Sequence, residues 1–331
     1  METRQTFSAF RIADVAGTIG GAVVEMTLDE LSAGDVVIAA EYSSVNYKDA
    51  LAATGAAKIC KRLPMVGGID VAGTVTSTAD SRFREGDSVL VTGYDLGVGN
   101  DGGYSAVVRV PAGWVVRLPD GLSAREAMTL GTAGFTAAMS IVRLEQNGLS
   151  PGTGPVIVTG ATGGVGSVAV AILAGLGYHV TAMTGKESEH GYLKSLGAAE
   201  IVPRTLAQKS TRPLEKMLWA GAVDPVGGDT LAWLTRTMTY GASIASSGLT
   251  GGTDLHTTVV PFILRGVNLL GIDSVMCPML LRLEIWRRLA GDMKPKMLAS
   301  IAREIDLAGL PEAFRTLLAG NARGRFVVKV S

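Results

Sequence analysis

A glycine-rich segment between two apolar runs is the first part of the chain whose residue types could do chemistry. Pro155–Thr159 is rich in β-branched residues and predicts a buried strand, and Gly163–Leu176 predicts an apolar helix. The segment Val156–Gly166 joins them, and its glycines allow a sharp turn and a close approach by phosphate, while the helix N-terminus offers unpaired N–H groups. The next predicted strand, Tyr178–Thr184, follows at the spacing expected of a dinucleotide-binding unit. This spacing favours a dinucleotide-binding turn over a merely structural one.

The end of that second strand discriminates between the two nicotinamide dinucleotides. NAD sites usually place an acidic residue there to hold the ribose 2′-hydroxyl, whereas this chain has Thr184 followed by Lys186. A lysine suits a 2′-phosphate, and Arg204, after the third strand, could add a second positive charge. Alternatively, Lys186 and Arg204 are solvated surface cations that bind no phosphate, and the nearby acid Glu187 makes the distinction from an NAD site less sharp. The missing acid and the present cation favour NADP.

The elements before the glycine turn indicate a β-rich domain, predicted over residues 1–125 and completed by about 275–331. The strand-like segments are Val36–Ser43, Gly73–Thr76, Ser88–Thr92, Tyr104–Val110 and Trp114–Arg117. Short strands at this spacing, separated by glycine and proline turns, suggest a barrel or sandwich. Leu122–Leu144 then predicts a helix, with Ser123 as N-cap and Glu126 as its capping-box partner.

The middle of the chain, predicted as a nucleotide-binding domain over residues 126–274, alternates strands with helices. Its further helices are predicted at Ser188–Leu196 and Asp229–Met238, and its further strands within Gly197–Val202, at Ala220–Asp224 and at Ala242–Ser246. Such alternation is typical of a parallel, doubly wound sheet. After predicted helices at Leu280–Leu289 and Pro295–Ser300, the strand Arg325–Val330 returns. This return suggests that the α/β domain is inserted into the first one.

Composition and charge exclude several classes of protein. The 331 residues suggest about two domains, and 47% hydrophobic residues are ample for a buried core. Thirty basic residues balance thirty acidic ones, so the chain has no overall positive charge for a nucleic acid or an anionic membrane. Two cysteines, Cys60 and Cys277, are too few for a disulfide framework or a four-cysteine zinc site.

Neither a leader nor a membrane span is predicted. Met1–Arg11 lacks the apolar centre of a secretory signal. Gln146–Gly185 contains no Asp, Glu, Lys or Arg, but its glycine loop would leave backbone groups unpaired in lipid, so a buried strand–turn–helix explains it better. We expect a cytoplasmic protein.

Seven stretches together resemble one group of a known superfamily. They are Tyr42–Asp49, Gly68–Val75, Leu130–Ala137, Val156–Gly166, Tyr192–Ala198, Pro261–Arg265 and Gly271–Val275. The chain resembles the medium-chain dehydrogenase/reductase superfamily over nearly its whole length, and within it the NADPH-dependent acrylyl-CoA reductases, some of which are called quinone oxidoreductases. The resemblance implies a GroES-like β-barrel catalytic domain with an inserted Rossmann doubly wound parallel sheet.

Zinc must be considered because alcohol dehydrogenases share this layout. Their Gly-His-Glu motif supplies a zinc ligand, whereas the matching residues here are Gly68, Ile69 and Asp70. The three histidines are scattered, and His179, at a strand start, is more simply structural. No His/Cys set has the spacing of metal ligands. The sequence therefore predicts a reductase that works without a metal ion.

The resemblance implies reduction of the C=C bond of a short α,β-unsaturated acyl-CoA, most simply acrylyl-CoA to propionyl-CoA. Hydride reaches the β-carbon, charge develops on the thioester carbonyl oxygen, and the α-carbon is protonated. Tyr42 is expected to contact the cofactor, and Asn46 could orient the carbonyl. Tyr47 and Asp49, beside them, could equally serve to hold the barrel together. Related enoyl thioester reductases use a tyrosine from the region that is Thr54–Pro64 here, but this stretch contains none, so solvent is an open source of the proton.

The remaining cofactor-site residues also follow from the resemblance. They are Thr162, Gly163, Gly164 and Val165 at the pyrophosphate, Thr184, Gly185, Lys186 and Arg204 at the adenosine end, and Leu249, Ile263, Ser274 and Asn321 elsewhere. Leu249 should approach the nicotinamide, whereas Ile263 could instead be an ordinary core residue. Cations that could bind CoA phosphates are Lys58, Lys61, Arg62, Arg265, Arg323 and Arg325.

Two other functions remain open from the sequence. A zinc-free NADPH quinone or 2-alkenal oxidoreductase would share every cofactor residue. A non-catalytic NADPH-binding structural protein would share the fold, because fold alone does not establish chemistry. The resemblance also implies a homodimer, for which Asn268–Val275 is apolar enough to be the pairing edge strand.

Overall fold

The computed structural model describes residues 6–208 and 212–331, which form two compact units. The first unit comprises Met1–Thr132, Val275–Leu283 and Ala299–Ser331, and the second comprises Ala133–Ser274 and Glu284–Leu298. The first five residues, part of the segment interpreted as lacking a secretory signal, lie outside the described residues. The domain boundaries at residues 125/126 and 274/275 stay predictions.

Sixteen strands, nine α-helices and five short 3-10 helices make up the regular structure of the described residues. The strands are β1 (Thr6–Val15), β2 (Thr18–Thr27), β3 (Val36–Ser44), β4 (Met65–Val66), β5 (Asp70–Thr78), β6 (Ser88–Thr92), β7 (Val107–Val110), β8 (Val116–Arg117), β9 (Val156–Val158), β10 (Val180–Thr184), β11 (Glu200–Pro203), β12 (Trp219–Asp224), β13 (Met238–Ser246), β14 (Asn268–Gly271), β15 (Ala302–Ile305) and β16 (Arg325–Lys329). The helices are α1 (Tyr47–Thr54), α2 (Ala124–Gln146), α3 (Gly164–Gly175), α4 (His190–Ser195), α5 (Gly228–Thr237), α6 (Val260–Arg265), α7 (Met279–Ala290), α8 (Leu298–Ile301) and α9 (Leu310–Leu318).

The first unit is built from two sheets around an aromatic core. A three-stranded sheet has the order β2-β1-β4, and a seven-stranded sheet has the order β15-β16-β3-β5-β6-β8 with β7 paired to β3. The returning strand β16 pairs antiparallel with β3, with Val327 opposite Ser44. In the core of this unit the rings of Phe10 (β1), Tyr104 and Phe314 (α9) pack together, with ring centroids 5.9–6.3 Å apart. The predicted barrel completed by the chain's last strand is therefore confirmed.

The second unit contains a six-stranded sheet with the order β11-β10-β9-β12-β13-β14. Every neighbouring pair in it is parallel. This is the doubly wound order of dinucleotide-binding sheets, in which the strand order reverses between β9 and β12. Because the strands are parallel, their carboxyl ends lie along one edge, where ligands of such sheets bind. The predicted Rossmann sheet is confirmed.

Helix α2 is interrupted at Gly131, whose φ of 51° and ψ of −156° are not helical. At its start, the Ser123 N–H donates to Glu126 Oε2 (3.0 Å) and the Glu126 N–H donates to Ser123 Oγ (3.2 Å), which confirms the predicted capping box. By length and composition α2 could cross a membrane, but 89% of its apolar window is buried, as in the core helix of a soluble protein. The uncharged run Gln146–Gly185 forms β9, α3 and β10, as predicted.

Candidate active site and cofactor site

The glycine turn leaves β9 and enters α3 through Gly163, whose backbone is extended (φ −79°, ψ 179°). Gly160 has a φ of +51°, which L-residues rarely adopt. A Cβ atom at Gly166 would lie 2.3 Å from the carbonyl oxygen of Gly160, so only glycine lets the helix pack on the turn. A Cβ atom at Gly163 would lie 3.3 Å from the same carbonyl oxygen, a tight contact, so glycine also suits this position.

This helix N-terminus fits the pyrophosphate of a dinucleotide. The first turn of α3 contains no acidic residue, and within the described residues no side chain caps it. Its N–H groups and the positive end of the helix dipole are thus directed at the space beyond Gly163. Thr162 is buried, whereas Gly163, Gly164 and Val165 are partly exposed. The structure therefore brings these four predicted residues together at one helix end.

The predicted adenosine-end residues also lie together. Thr184 ends β10, and its Oγ1 accepts a hydrogen bond from the Lys186 N–H (3.0 Å). Thr184 is paired with Pro203 of β11, which places Arg204 one residue beyond the neighbouring strand. A Cβ atom at Gly185 would lie 2.8 Å from Arg204 Nε, so the arginine side chain lies across the glycine. Two cationic side chains therefore flank the end of the second strand, a donor set that fits a 2′-phosphate.

Lys186 is partly buried, and this burial lowers the pKa of its ammonium group, while the nearby charge of Glu189 raises it. The effect of burial on the pKa is the larger of the two. A dianionic phosphate beside the ammonium would oppose it, because an opposite charge favours the charged form.

Leu249, Ile263 and Ser274 belong to the second unit as well. Leu249 follows β13 and is 55% exposed, and Ile263 lies in α6 and is 70% exposed. The alternative interpretation of Ile263 as a core residue is therefore wrong for this chain. Ser274 Oγ accepts a hydrogen bond from Thr136 Oγ1 (2.8 Å), which holds Ser274 against α2. The cofactor roles of these three residues stay predictions.

The other two predicted site residues, Tyr42 and Asn321, belong to the first unit. Tyr42 is partly exposed near the end of β3, where it pairs with Ala72 of β5 and Lys329 of β16. Asn321 is exposed after α9, and its N–H donates to the carbonyl oxygen of Thr316 (3.0 Å). Their contacts with a cofactor stay predictions.

A buried charge network occupies the end of β3 and the start of β5. The Asp70 carboxylate accepts hydrogen bonds from Ser44 Oγ (2.5 Å), Asn46 Nδ2 (2.7 Å), and both the N–H and Oγ1 of Thr132 (2.9 and 2.5 Å). Arg325 Nη2 lies 3.8 Å from the same carboxylate. Asp70 and Arg325 are 0% and 4% exposed, so the pair is held away from water.

Arg325 also holds the backbone around this network. Its guanidinium donates to Ser44 Oγ (2.7 Å), Asn46 Oδ1 (3.1 Å) and the carbonyl oxygen of Val45 (2.9 Å). Burial lowers its pKa, and the charge of Asp70 counteracts this. Because it is buried, the hypothesis that Arg325 binds CoA phosphates at a cleft mouth is wrong.

The break in α2 is a consequence of the same network. A Cβ atom at Gly131 would lie 2.5 Å from Ser44 Oγ and 2.7 Å from both Arg325 Nη2 and Asp70 Oδ2. Glycine is therefore required here for space as well as for its positive φ. Thr132, the next residue, can then direct its N–H and hydroxyl at Asp70.

Asn46 uses both ends of its side-chain amide inside this network, as donor to Asp70 and acceptor from Arg325. It is also the N-cap of α1, where its N–H donates to Asp49 Oδ2 (2.8 Å). The Asn46 amide nitrogen has two N–H groups, one of which donates to Asp70, so donation to a substrate carbonyl would use the second. Its catalytic role stays a prediction.

Asp49 fits the interpretation that it holds the barrel together. Besides Asn46, its carboxylate accepts from the N–H of Ile69 (3.0 Å), which joins α1 to the segment before β5. Burial, and then the charge of Asp70, raise the pKa of Asp49 to about 7. Tyr47, by contrast, is exposed.

The residues at the zinc position of alcohol dehydrogenases do not fit a metal ion here. Among residues 6–208 and 212–331 there is no group of three or more His, Cys, Asp or Glu residues that could hold one. Asp70 is already engaged by three side chains and an arginine. His179 Nε2 lies 3.4 Å from Glu200 Oε1, beside the starts of two strands.

Several other cations considered for CoA have partners within the protein. Lys61 Nζ contacts Asp95 (2.8 Å), and Arg62 Nη2 contacts the buried Asp101 (2.7 Å). Arg265 Nη1 donates to the carbonyl oxygen of Arg236 (2.8 Å). These contacts are explained by local structure, so they give no support to a CoA site.

Sequence reasoning missed three residues that organise the two sites: Gly131, Thr159 and Asp224. Thr159 follows β9 and its Oγ1 donates to the fully buried carboxylate of Asp224 at the end of β12 (2.5 Å). A glycine within a helical pattern was a usable signal for Gly131. An aspartate at the end of an apolar strand has an ordinary solvated interpretation and gave no such signal.

The fold and these two sites define a dehydrogenase/reductase with a GroES-like and a nucleotide-binding part. The family model of the alcohol dehydrogenase GroES-like domain matches residues 32–120, and that of the zinc-binding dehydrogenases matches residues 164–285. The chain belongs to the medium-chain dehydrogenase/reductase superfamily, in the group of the AcuI and YhdH proteins. The acrylyl-CoA reductase AcuI of Ruegeria pomeroyi is 50% identical over 317 residues, 96% of each chain.

Solved structures support the same placement. The crystal structure of the yhdH oxidoreductase of Salmonella enterica in complex with NADP covers 98% of this chain and 100% of its own, with a TM-score of 0.96 and 48% identity. The Bacillus subtilis protein yhfP, crystallised with NAD bound, matches with a TM-score of 0.96 and 48% identity over 98% of this chain and 99% of its own. YhfP carries the provisional name of a quinone oxidoreductase.

Proposed function

We propose that this protein is an NADPH-dependent reductase of the C=C bond of short α,β-unsaturated acyl-CoA thioesters, with acrylyl-CoA as substrate and propionyl-CoA as product. The observation that carries the proposal is the 50% identity to the acrylyl-CoA reductase AcuI over 96% of both chains. The cofactor choice has separate support from the paired cations Lys186 and Arg204 beside Thr184, where NAD sites hold an acid.

The second unit would bind the cofactor through groups already in place. The first-turn N–H groups of α3 would bind the pyrophosphate at Thr162–Val165, and Lys186 and Arg204 would bind the 2′-phosphate. When bound, NADPH supplies the hydride that reduces the β-carbon, and a proton at the α-carbon completes the reduction. Leu249 is exposed at the carboxyl edge of the sheet and would limit the positions open to the nicotinamide ring.

On the substrate side, the protein must stabilise the charge that develops on the thioester carbonyl oxygen. Asn46 is the candidate that orients this carbonyl, and Tyr42 is the candidate that contacts the cofactor. The Asp70–Arg325 network fixes the backbone between them, because Arg325 binds Ser44 and Val45. Solvent can supply the proton at the α-carbon.

A quinone or 2-alkenal oxidoreductase is the second candidate function. The 49% identity to YhfP over 98% of this chain favours it, since that relative is named for quinone reduction. Both candidates use the same cofactor site and differ only in the acceptor.

The test is oxidation of NADPH, followed at 340 nm, with acrylyl-CoA, free acrylate and a simple quinone as acceptors. We expect kcat/KM for acrylyl-CoA to exceed that for the quinone by about a hundredfold or more, a difference of about 3 kcal/mol in transition-state binding. The K186D variant is the control, because a reaction at this site must slow with every acceptor. Faster turnover of the quinone would replace the thioester function by the second candidate. NADPH binding without turnover of any acceptor would favour a structural protein.

We further propose a cytoplasmic homodimer that pairs through β14. This strand is the edge of the six-stranded sheet, and Leu269 on it is 38% exposed. An exposed apolar edge tends to pair with another strand. Light scattering should give twice the chain mass of 34.2 kDa, and L269D should shift the protein toward the monomer. The control V15D changes another exposed apolar residue and should stay dimeric, whereas a monomeric wild type would contradict the proposal.

A further inference from the structure

Asp224 is a fully buried carboxylate that the proposed reaction does not use. It accepts hydrogen bonds from Thr159 Oγ1 (2.5 Å), the Val226 N–H (3.2 Å) and the Gly227 N–H (3.0 Å). Burial raises its pKa, and these three donors counteract that effect. A fully buried carboxylate destabilises the fold unless its oxygens accept hydrogen bonds. The groups that donate to Asp224 are therefore the ones that it holds in position.

The first contact of Asp224 fixes the start of the glycine turn. Thr159 is the residue between β9 and Gly160, and Asp224 is the last residue of β12. These two strands are parallel neighbours at the point where the strand order of the sheet reverses. The hydrogen bond from Thr159 to Asp224 therefore joins the two strand ends between which a dinucleotide binds.

The backbone contacts of Asp224 fix the next loop, residues 225–228, which packs against residues 248–252. The Gly251 N–H donates to the carbonyl oxygen of Val226 (2.8 Å). A Cβ atom at Gly248 would lie 2.0 Å from the Pro225 carbonyl oxygen, and one at Gly228 would lie 2.4 Å from the Gly251 carbonyl oxygen. The two loops therefore touch backbone to backbone, and Leu249 lies within the second one.

The Val226 side chain lies between the glycine turn and that second loop. A Cβ atom at Gly160 would lie 3.0 Å from its Cγ2, and one at Gly251 would lie 2.7 Å from its Cγ1. Movement of residues 225–228 would therefore be transmitted to both segments. Close-packed contacts of this kind have little freedom to adjust.

We infer that Asp224 is a positioning residue that holds the pyrophosphate turn at Thr159–Gly160 and the Gly248–Gly251 loop at a fixed spacing, so that the pyrophosphate and the nicotinamide of a bound cofactor are contacted at once. The inference rests on the proposed function of this unit as the NADPH site. Asp224 itself would contact neither cofactor nor substrate.

Two pairs of variants test this role through NADPH binding, measured by fluorescence titration. D224N places an amide N–H₂ against the Gly227 N–H, and we expect about a tenfold or greater rise in Kd. T159V removes the hydroxyl and should raise Kd about fivefold or more, whereas T159S keeps it and should restore binding. D101N is the matched control, because Asp101 is a buried aspartate of the other unit that also accepts from a hydroxyl and a backbone N–H.

A second readout separates positioning from general loss of stability. Amide hydrogen exchange in Thr159–Gly163 and Gly248–Gly251 should quicken together in D224N and T159V, under conditions where each variant stays folded. In D101N both segments should exchange as in wild type. Unchanged NADPH Kd in T159V, or quicker exchange in only one of the two segments, would overturn the inference. If D224N does not fold, the T159V and T159S pair decides it.

These outcomes are distinct from failure of the proposed function. If wild type binds NADPH but reduces no acyl-CoA, the catalytic proposal fails while the binding measurements still test Asp224. If wild type does not bind NADPH, both fail.

Discussion

Replacing Arg325 by methionine is expected to lower the free energy of unfolding by about 3–5 kcal/mol, the cost of removing one partner of a buried ion pair. Methionine fills much of the same volume but donates no hydrogen bond. The variant leaves the Asp70 carboxylate without its cation, and the acceptors Asn46 Oδ1 and the Val45 carbonyl oxygen without their donor. Denaturant unfolding of wild type and variant measures the loss.

The control is R315M, the same chemical change at an exposed ion pair. Arg315 contacts Glu312 at 2.6 Å, but the two side chains are 68% and 72% exposed, so we expect a much smaller loss than in R325M. The double variant D70N/R325M should lose less than the sum of its two single variants, because no unpaired charge remains buried. A loss in R325M no larger than in R315M would show that the buried network does not stabilise the first unit.

The parts of this protein that could be predicted from sequence are those fixed by local patterns. The strand, turn and helix around Val156–Gly166 follow from an apolar β-branched run, glycines and a second apolar run. The structure places β9 at Val156–Val158 and α3 at Gly164–Gly175, within a few residues of the predicted bounds. The positions of Thr184 and Lys186 beside the adenosine end could be predicted because Thr184 ends the next strand and Lys186 comes two residues later.

The Asp70–Arg325 network could not be predicted because distant residues create it. Asp70 and Thr132 are 62 positions apart, and Arg325 and Ser44 are 281 positions apart. Gly131 is a local signal of a break in the helical pattern of Leu122–Leu144, but the cause of the break, the crowding at Ser44, Asp70 and Arg325, comes from distant residues. The same lack of long-range information made Arg325 resemble an exposed cation.

The amino-terminal hairpin was also missed, for a different reason. β1 and β2 pair antiparallel over their full length from Thr6 opposite Thr27 to Val15 opposite Thr18. β2 contains two adjacent glycines and is mostly exposed or half-exposed, so it lacks the apolar alternation of a half-buried strand. Its pairing with β1, rather than its own pattern, makes it a strand.

Replacing Lys186 by aspartate is expected to raise the Kd for NADPH by about a hundredfold and to change that for NADH by less than about threefold. Only NADPH carries the 2′-phosphate, and the variant exchanges a charge-assisted hydrogen bond for repulsion between like charges. The aspartate would also follow Thr184, close to where NAD sites hold the ribose 2′-hydroxyl with an acid, so NADH binding need not suffer. Titration of both dinucleotides against wild type and variant measures this change in preference.

Two further variants separate a local contact from a general effect of charge. R204A removes the cation that lies across Gly185, and it should raise the Kd for NADPH about tenfold or more, again with little effect on NADH. K296D makes the same charge change as K186D at an exposed lysine of the second unit, and it should leave both dissociation constants within about twofold of wild type because solvent and salt screen exposed charges. Equal weakening of NADPH and NADH in K186D would reject the assignment of Lys186 to the 2′-phosphate, since a damaged turn would affect the adenosine that both cofactors share. A large change for NADPH alone in both K186D and R204A would instead place the 2′-phosphate between these two side chains.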